Sequence, residues 1–297
     1  MKRYILLLLA VGYLFPASAQ QSTREILVEP LCLVAPESAQ DTKQLVILQT
    51  SDTHSRIEPI AAHAADRYAG MGGTVRRATL IKEARAVNPD LLLFDCGDIS
   101  QGTPYYNLFQ GEVEIKMMNL MGYDAMAIGN HEFDFGLENM ARLFRMANFP
   151  VVCANYDVSA TVLKDLVKPY VIIERDGVKI GVLGLGCQLE GMVQANKCVG
   201  VVYNDPVATA NEVAAVLKEK EGCDVVVCLS HLGVQYDENR LIPKTRNIDV
   251  VLGGHSHTFM KGPKTLLNMD GKNVSLMHTG KSGIYVGQVD LTLENKK

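Results

Sequence analysis

The sequence predicts an α/β fold in which short buried strands alternate with amphipathic helices. Short apolar runs recur along the chain, and most are followed by a longer stretch whose apolar positions have helical spacing. Polar clusters containing histidine and aspartate follow several of these runs, where each strand should end. Because ligands bind at the carboxyl ends of strands in open α/β sheets, the same pattern predicts a functional site at that edge.

The first half of the chain contains four predicted strands and three predicted helices. The strands are LVILQT (45–50), LLLFD (91–95), AMAI (125–128) and PVVCAN (150–155). The helices cover 74–87, 112–121 and 138–147. The first helix should end before Asn88, because the proline that follows disfavours a helical conformation at the residue preceding it.

The second half continues this alternation and adds antiparallel strands. The predicted elements are a hairpin over 170–185, a helix over 206–220, and strands over 225–230 and 248–254. The hairpin should turn at Asp176-Gly177, and Pro206 suits the first position of the helix. The tail after residue 274 alternates like antiparallel strands. No linker or low-complexity tract divides the chain, so we expect one domain over 45–297.

The amino terminus has the pattern of a secretory signal peptide over residues 1–19. Lys2 and Arg3 precede an apolar run over 4–15, and Ala17-Ser18-Ala19 fits a cleavage site. The run is too short to span a bilayer, which needs about 20 apolar residues. The pattern predicts an exported protein, periplasmic or extracellular, with no membrane anchor and with a lead-in segment over 20–44.

Charge and cysteine content narrow the classes of partner and site. Removing the leader takes the formal net charge from −4 to −6, because it removes two positive charges and no negative ones. This balance argues against nucleic acid as a partner. Three of the seven cysteines lie in or beside strand-like runs and are predicted core thiols: Cys96, Cys153 and Cys228. The sequence leaves two disulfide pairings undecided, Cys187 with Cys198 and Cys223 with another cysteine. The chain has no C-x-x-C motif, so a structural zinc site of that type is not predicted.

Five polar clusters occupy the predicted strand ends. They are Ser51-Asp52-Thr53-His54, Cys96-Gly97-Asp98, Gly129-Asn130-His131-Glu132, His231, and Gly253-Gly254-His255-Ser256-His257. A single histidine or aspartate of this kind is usually a loop, cap or core residue. Five of the seven histidines share this kind of position, which favours one common site. His278 is interpreted as a surface-loop residue, with a place lining the site as the alternative.

The donor types in these clusters indicate divalent metal ions. Aspartate, asparagine and histidine side chains bind ions of borderline hardness. Seven donors are too many for one ion and suffice for two if one carboxylate bridges: Asp52, His54, Asp98, Asn130, His231, His255 and His257. Two ions about 3.5–4 Å apart can bind both the attacking and the leaving oxygen of a phosphoryl displacement. The sequence therefore predicts two divalent ions, without identifying them among Zn, Mn, Mg, Fe and Co.

The ordered motifs resemble the calcineurin-like metallophosphoesterase superfamily. Its pattern is D-x-H, GD, GNHE, a single H and GHSH in that order, and all five are present. SDTHS, GDISQGTP and GNHEFDFG are similar to the catalytic (N-terminal) domain of the 5′-nucleotidase / UDP-sugar hydrolase / 2′,3′-cyclic phosphodiesterase family. The resemblance covers roughly residues 45 to 293. It implies a four-layer α/β/β/α sandwich with a dinuclear metal site at the strand carboxyl ends.

The resemblance also implies a role for each motif residue. One ion would be held by Asp52, His54 and His257, the other by Asn130, His231 and His255, with Asp98 bridging the two. His131 would face the phosphoryl group without binding metal, and Asp134 would orient and stabilise its imidazole. Glu132 is left with a structural role.

These roles imply a metal-dependent phosphoric ester hydrolase that resembles 5′-nucleotidases. Its expected reaction is hydrolysis of nucleotide phosphoesters by in-line attack of a metal-bound hydroxide. Two alternatives stay open: a broad-specificity phosphodiesterase or phosphomonoesterase acting on another exported phosphoester, and a non-catalytic, metal-stabilised binding subunit. The binding subunit would have no need of His131 and Asp134.

The resemblance carries one further expectation about specificity. In the family, a second domain with the nucleoside contacts usually follows the metal domain, whereas the present sequence ends at Lys297. We therefore expect residues 45–297 to act as a catalytic domain that discriminates poorly among nucleoside bases. Nucleotide selectivity would come from a separate chain that resembles the family's C-terminal domain.

Overall fold

Two β-sheets packed face to face form the centre of the computed structural model, which describes residues 3–7, 15–16 and 42–296. The predicted signal peptide (1–19) and lead-in segment (20–44) lie mostly outside these residues. Two short strands are described there, β1 (Arg3–Leu7) and β2 (Phe15–Pro16), and both pair antiparallel with the last strand of the chain.

The first sheet has eight strands drawn from both ends of the chain. Its order is β1, β16 (Tyr285–Lys296), β3 (Thr42–Thr50), β4 (Leu92–Asp95), β5 (Ala125–Ala127), β6 (Val151–Val152) and β8 (Val167–Lys168), with β2 paired to β16. The strands from β3 to β8 in this order are parallel, and β16 is antiparallel to β3. A separate two-stranded pair is formed by β7 (Tyr156–Asp157) and β11 (Val202–Tyr203).

The second sheet has six strands with a parallel centre and antiparallel edges. Its order is β14 (Lys264–Leu267), β15 (Asn273–His278), β13 (Val250–Gly253), β12 (Val225–Ser230), β10 (Val178–Leu185) and β9 (Tyr170–Arg175). The predicted hairpin is confirmed, since β9 and β10 join at Asp176-Gly177. Both turn residues have positive φ, 47° and 67°, as the favoured two-residue hairpin turn requires.

Helices follow five of these strands, β3, β4, β5, β11 and β12. They are α1 (Thr74–Val87), α2 (Pro104–Phe109), α3 (Glu112–Met121), α4 (Gly136–Met146), α5 (Pro206–Ala215) and α6 (Val234–Tyr236). Single turns cover His131–Phe133 and Ala195–Lys197, while α5 continues through Val216–Lys220 and α6 through Asp237–Leu241 and Ile242–Lys244. The bounds of α1 and α3 match the prediction. Six residues carry too little periodicity for α2 to be predicted from sequence.

Three hydrophobic clusters define four layers. Side chains of both sheets fill the space between them, among them Ile47, Phe94, Val182 and Val227. Ile81, Ile115 and Phe144 pack α1, α3 and α4 on the outer face of the first sheet. Ala210, Leu217 and Leu241 pack α5 and the helical turns that follow α5 and α6 on the outer face of the second. The predicted α/β/β/α sandwich is confirmed. The central strands are covered on both faces, which explains why their sequences are continuous apolar runs.

The tail of the chain forms the predicted strands, with β15 antiparallel to β14 and β16 antiparallel to β3, but the two strands join different sheets. β15 runs parallel to β13 in the second sheet, whereas β16 pairs antiparallel with β3 in the first. Alternation of apolar residues identifies a strand, but it carries no information about the sheet that the strand joins. His278 ends β15 and is 1% exposed, so its interpretation as a surface-loop residue is wrong.

The cysteines behave mainly as core residues. Cys96, Cys153 and Cys228 are buried, which confirms the predicted core thiols. All six cysteines within residues 42–296 are free, so neither open pairing, Cys187 with Cys198 nor Cys223 with another of the six, is formed there. In the same part of the chain, and in β1 and β2, no helix has the length and apolar character needed to cross a membrane.

Candidate metal centre

The carboxyl ends of five strands bring the predicted ligands to one edge of the two sheets. β3 leads to Asp52 and His54, β4 to Asp98, β5 to Asn130, β12 to His231, and β13 to His255 and His257. Six of these side chains form two groups in which one ligand atom from each residue lies within 4.8 Å of the others: Asp52, His54 and His257; and Asp98, His231 and His255. The structure thus places side chains that are up to 205 residues apart in sequence around common points.

Left-handed backbone conformations turn these side chains inward directly after the strands. Five predicted ligands have positive φ: Asp52 (49°), His54 (47°), Asp98 (57°), His255 (72°) and His257 (53°). Such a conformation in a residue other than glycine costs on the order of 1–3 kcal/mol and is concentrated at functional sites. Bonds between the loops hold it in place, since the amides of Asp52 and His54 donate to the carbonyls of Gly97 and Asp98 at 2.9 and 3.0 Å.

In the first group, two imidazoles and a carboxylate face one another. His257 Nε2 lies 2.9 Å from His54 Nε2 and 3.5 Å from Asp52 Oδ1. His54 Nδ1 donates a hydrogen bond to the Ser100 carbonyl oxygen at 3.1 Å, because a carbonyl can only accept. The Nε2 lone pair of neutral His54 therefore points toward the other donors. Burial lowers the pKa of His54 and lowers that of His257 to about 4, which favours the neutral imidazole that binds metals.

In the second group, His231 and Asp98 are fully buried. His231 Nδ1 donates to the Cys96 carbonyl at 2.6 Å, and Nε2 lies 3.1 Å from Asp98 Oδ2. Within the described residues Nε2 of His231 has no hydrogen-bond partner, and the Asp98 carboxylate oxygen is the group that faces it. Burial lowers the pKa of His231, but the Asp98 carboxylate outweighs it and raises the pKa to about 10. The field at this point favours positive charge, whether a proton or a divalent ion.

The two groups adjoin each other across Gly254. A Cβ at this glycine would lie 3.0 Å from Asp52 Oδ2 and 3.1 Å from His231 Nδ1. Burial raises the pKa of Asp52 to about 7, and the nearby Asp98 carboxylate contributes to the increase. Two buried carboxylates close together are unfavourable unless cations offset their charge. Neutral imidazoles, carboxylates and an unpartnered ring nitrogen fit two divalent ions of borderline hardness.

The turn after β5 places a histidine–aspartate pair at the rim of this centre. The His131 amide donates to Asp98 Oδ1 at 2.8 Å, and the His131 and His54 rings are 5.4 Å apart. His131 Nδ1 donates to Asp134 Oδ2 at 3.0 Å, and this bond raises the pKa of His131. The side chains of His131 and Asp134 are about one-third exposed, at 32% and 35%. Nε2 of His131 is therefore left for a molecule that enters from solvent.

Asn130 is buried in the same turn and is the one predicted ligand outside the two groups of histidines and aspartates. Its side-chain oxygen accepts a hydrogen bond from the Cys187 thiol at 3.6 Å. Both neighbours of Asn130 are linked to the Asp98 loop. The Gly129 amide donates to Glu132, which also accepts the Asp98 amide, and the His131 amide donates to the Asp98 side chain. Asn130 thus lies in the turn that contacts the second group.

A buried network that the sequence did not predict lies behind His231. Asp237 accepts hydrogen bonds from Ser230 Oγ at 2.6 Å and from His278 Nε2 at 2.9 Å, and all three residues are buried. The His278 ring crosses β13 at Gly253, where a Cβ would lie 2.0 Å from Nε2. The network therefore ties β12, β13 and β15 together beside their ligand loops. No sequence motif signals it, because its members are up to 48 residues apart.

Comparison with known proteins agrees with this geometry. A family model for calcineurin-like phosphoesterases matches residues 45–259. A snake venom 5′-nucleotidase from Gloydius brevicauda is 33% identical over 275 residues, which cover 85% of this chain and 46% of the relative. The chain thus spans about half the length of the curated relatives that it matches.

Solved structures show the same relationship. The crystal structure of a 5′-nucleotidase precursor from Thermus thermophilus matches with a TM-score of 0.76 at 31% identity, covering 84% of this chain and 51% of that chain. NAD nucleotidase from Haemophilus influenzae matches with a TM-score of 0.76 at 26% identity, covering 86% of this chain and 49% of that chain. Because the family model matches more than half of the sequence and spans both groups of metal-ligand side chains, the chain belongs to the calcineurin-like phosphoesterase family.

Proposed function

We propose that this chain is the catalytic domain of an exported phosphoesterase that hydrolyses nucleotide phosphoesters with two divalent metal ions. The observation that carries this proposal is the pair of adjoining ligand groups with the His131–Asp134 pair at their rim. The names of the similar proteins, 5′-nucleotidase and NAD nucleotidase, support nucleotides as the class of substrate. The ligand loops provide the metal binding, and the rim is open to the leaving group.

In this proposal the seven predicted ligands divide between two ions. Asp52, His54 and His257 would hold one ion and Asn130, His231 and His255 the other, with Asp98 shared between them. When bound, the ions supply Lewis-acid charge to the phosphoryl oxygens and lower the pKa of the water that they hold. The carbonyls of Ser100 and Cys96 accept the Nδ1 protons of His54 and His231, and so would leave Nε2 of each ring available to an ion.

His131 provides proton transfer or hydrogen bonding to the phosphoryl group. Because Nδ1 is bonded to Asp134, the Nε2 position is the one that can donate to a phosphoryl or leaving oxygen. Asp134 fixes the ring orientation and stabilises positive charge on the imidazole. The partial exposure of both side chains allows the leaving group to extend toward solvent.

A substrate panel tests the reaction. We expect metal-dependent release of phosphate from AMP and other nucleoside monophosphates, because the ligand groups and His131 recognise the phosphoryl group that they share. Nucleotides, UDP-glucose, a 2′,3′-cyclic nucleotide, p-nitrophenyl phosphate and its diester should be compared by kcat/KM with several divalent ions. A preference for the aryl diester would favour the broad phosphodiesterase alternative. Failure to hydrolyse any phosphoester with metals bound would leave a non-catalytic binding subunit.

Export is tested on the processed chain. The basic start, short apolar run and Ala17-Ser18-Ala19 are the observations that support cleavage. After expression with its native amino terminus in a secreting host, the exported protein should begin near Gln20 by mass spectrometry. An exported chain that retains residues 1–19 would contradict the cleavage proposal.

Asp98→Ala should remove bound metal and activity together, because one bridging carboxylate serves both ions. Elemental analysis should find two ions per chain in the native protein and fewer than two in the variant. Asp90→Ala alters an exposed aspartate and should keep both ions. Two ions in folded Asp98→Ala would rule out the bridging role.

His131→Ala should keep both ions and lower kcat by roughly 10²–10⁴-fold, the usual contribution of general acid–base catalysis. Asp134→Asn should lower kcat less, because the imidazole remains in place. His63→Ala changes an exposed histidine and should leave kcat unchanged. Loss of an ion from His131→Ala would make His131 a ligand instead.

A further inference from the structure

The Glu132 carboxylate is buried and binds two loops at once. Its Oε2 accepts the amide N–H groups of Gly129 at 2.7 Å and Asp98 at 2.9 Å. Its Oε1 accepts those of Ile99 at 3.0 Å and Ser100 at 3.3 Å. The residue is 2% exposed. One side chain therefore accepts four backbone hydrogen bonds, three from the loop after β4 and one from the turn after β5.

An ionised carboxylate matches this set of donors in number and in charge. Its two oxygens offer about four lone-pair positions and no proton, and each oxygen here receives two N–H groups. Hydrogen bonds to a charged acceptor are stronger than those between neutral groups. All four positions are used by the backbone, so Glu132 has none left for a metal ion. Its side chain accordingly belongs to neither ligand group among the described residues.

The two loops that Glu132 joins are in very close contact. A Cβ at Gly129 would lie 2.2 Å from Asp98 Oδ1, and a Cβ at Gly97 would lie 2.5 Å from the Gly129 amide nitrogen. Asp98 Oδ1 in turn accepts the His131 amide at 2.8 Å. The Asp98 side chain is thus held by the turn after β5, while its backbone is held by Glu132.

The Asp98 loop needs this support because its backbone is strained. Asp98 has a φ of 57°, which residues other than glycine seldom adopt. A strained conformation persists only where surrounding contacts over-determine it. Glu132 accepts hydrogen bonds from the amides of the strained residue, Asp98, and of the two residues that follow it, Ile99 and Ser100. The Ser100 carbonyl also accepts the His54 Nδ1 proton, so the same loop orients a ligand of the first group.

We propose that Glu132 is a positioning residue of the metal centre, which holds the Asp98 loop and the Asn130 turn at a fixed separation and thereby sets the affinity for the ions. This inference rests on the proposed two-metal function. It assigns to the fourth residue of GNHE a role separate from those of Asn130 and His131. Residues that orient ligands typically change metal affinity by about 10–100-fold when they are replaced.

Glu132→Gln tests the proposal with little change in side-chain size. The amide keeps one acceptor oxygen but presents N–H donors to backbone N–H groups, so about half of the four hydrogen bonds should be lost. We expect at least one of the two ions to bind about 10–100-fold more weakly, measured by titration with Zn²⁺ alone against a chromogenic chelator. Amide hydrogen exchange at residues 97–100 should also become faster.

Asp124→Asn is the matched control for a purely structural effect. Asp124 accepts the Leu93 amide at 2.8 Å and precedes β5, at the opposite end of the strands from the ligand loops. Its replacement also removes a charged acceptor of a backbone N–H. We expect it to lower the thermal midpoint while leaving both Zn²⁺ affinities unchanged.

The possible results separate the two proposals. Native protein that binds fewer than two Zn²⁺ ions overturns the two-metal function and, with it, the role of Glu132. If the native protein binds two ions and folded Glu132→Gln binds both with unchanged affinity, the positioning role alone is overturned. If Glu132→Gln does not fold, Glu132→Asp replaces it, because the carboxylate is kept but withdrawn by one methylene. Unchanged affinities in folded Glu132→Asp would then overturn the positioning role.

Discussion

The metal centre depends on one constraint, the face-to-face packing of two sheets whose parallel strands end at the same edge. The side chains buried between the sheets, including Ile47, Phe94 and Val227, have no exposed surface and fix the position of one sheet against the other. Close-packed interiors have low compressibility, so the strands on either side of this core keep fixed positions relative to one another. Loops that leave the strands therefore meet at defined distances, and Asp52 and His257 come within 3.5 Å of each other.

Hydrogen bonds between the loops fix the positions of the candidate ligand side chains. Carbonyl groups of the β4 loop accept the Asp52 and His54 amides, and the Cys96 and Ser100 carbonyls select the ring nitrogens that face the centre. Glu132 adds the anionic counterpart by accepting backbone N–H groups. These bonds offset the left-handed conformations at the ligands, which would otherwise relax and turn the side chains away.

The electrostatic character of the centre follows from burial as much as from residue type. Burial lowers the pKa of His54 and His257, and it raises the pKa of Asp52. The result is two neutral imidazoles, those of His54 and His257, beside an Asp52 carboxyl group that is costly to ionise without nearby positive charge. His131 differs because it is partly exposed and bonded to Asp134. Burial thus separates the donors that suit metal binding from the residue that suits proton transfer.

The sequence by itself predicted most of the helices and strands and the side chains that meet at the candidate site, because both are recorded locally. Helical spacing of apolar residues predicted α1 and α3, the proline after Asn88 predicted where α1 ends, and Asp176-Gly177 predicted the β9–β10 turn. Histidine and aspartate at strand ends identified the candidate metal ligands. Only the tertiary structure decided that β15 joins the second sheet, that His278 is buried, and that Glu132 joins two loops. These depend on contacts between segments distant in sequence, and a local pattern carries no record of the residue that will lie opposite it once the sheets have packed.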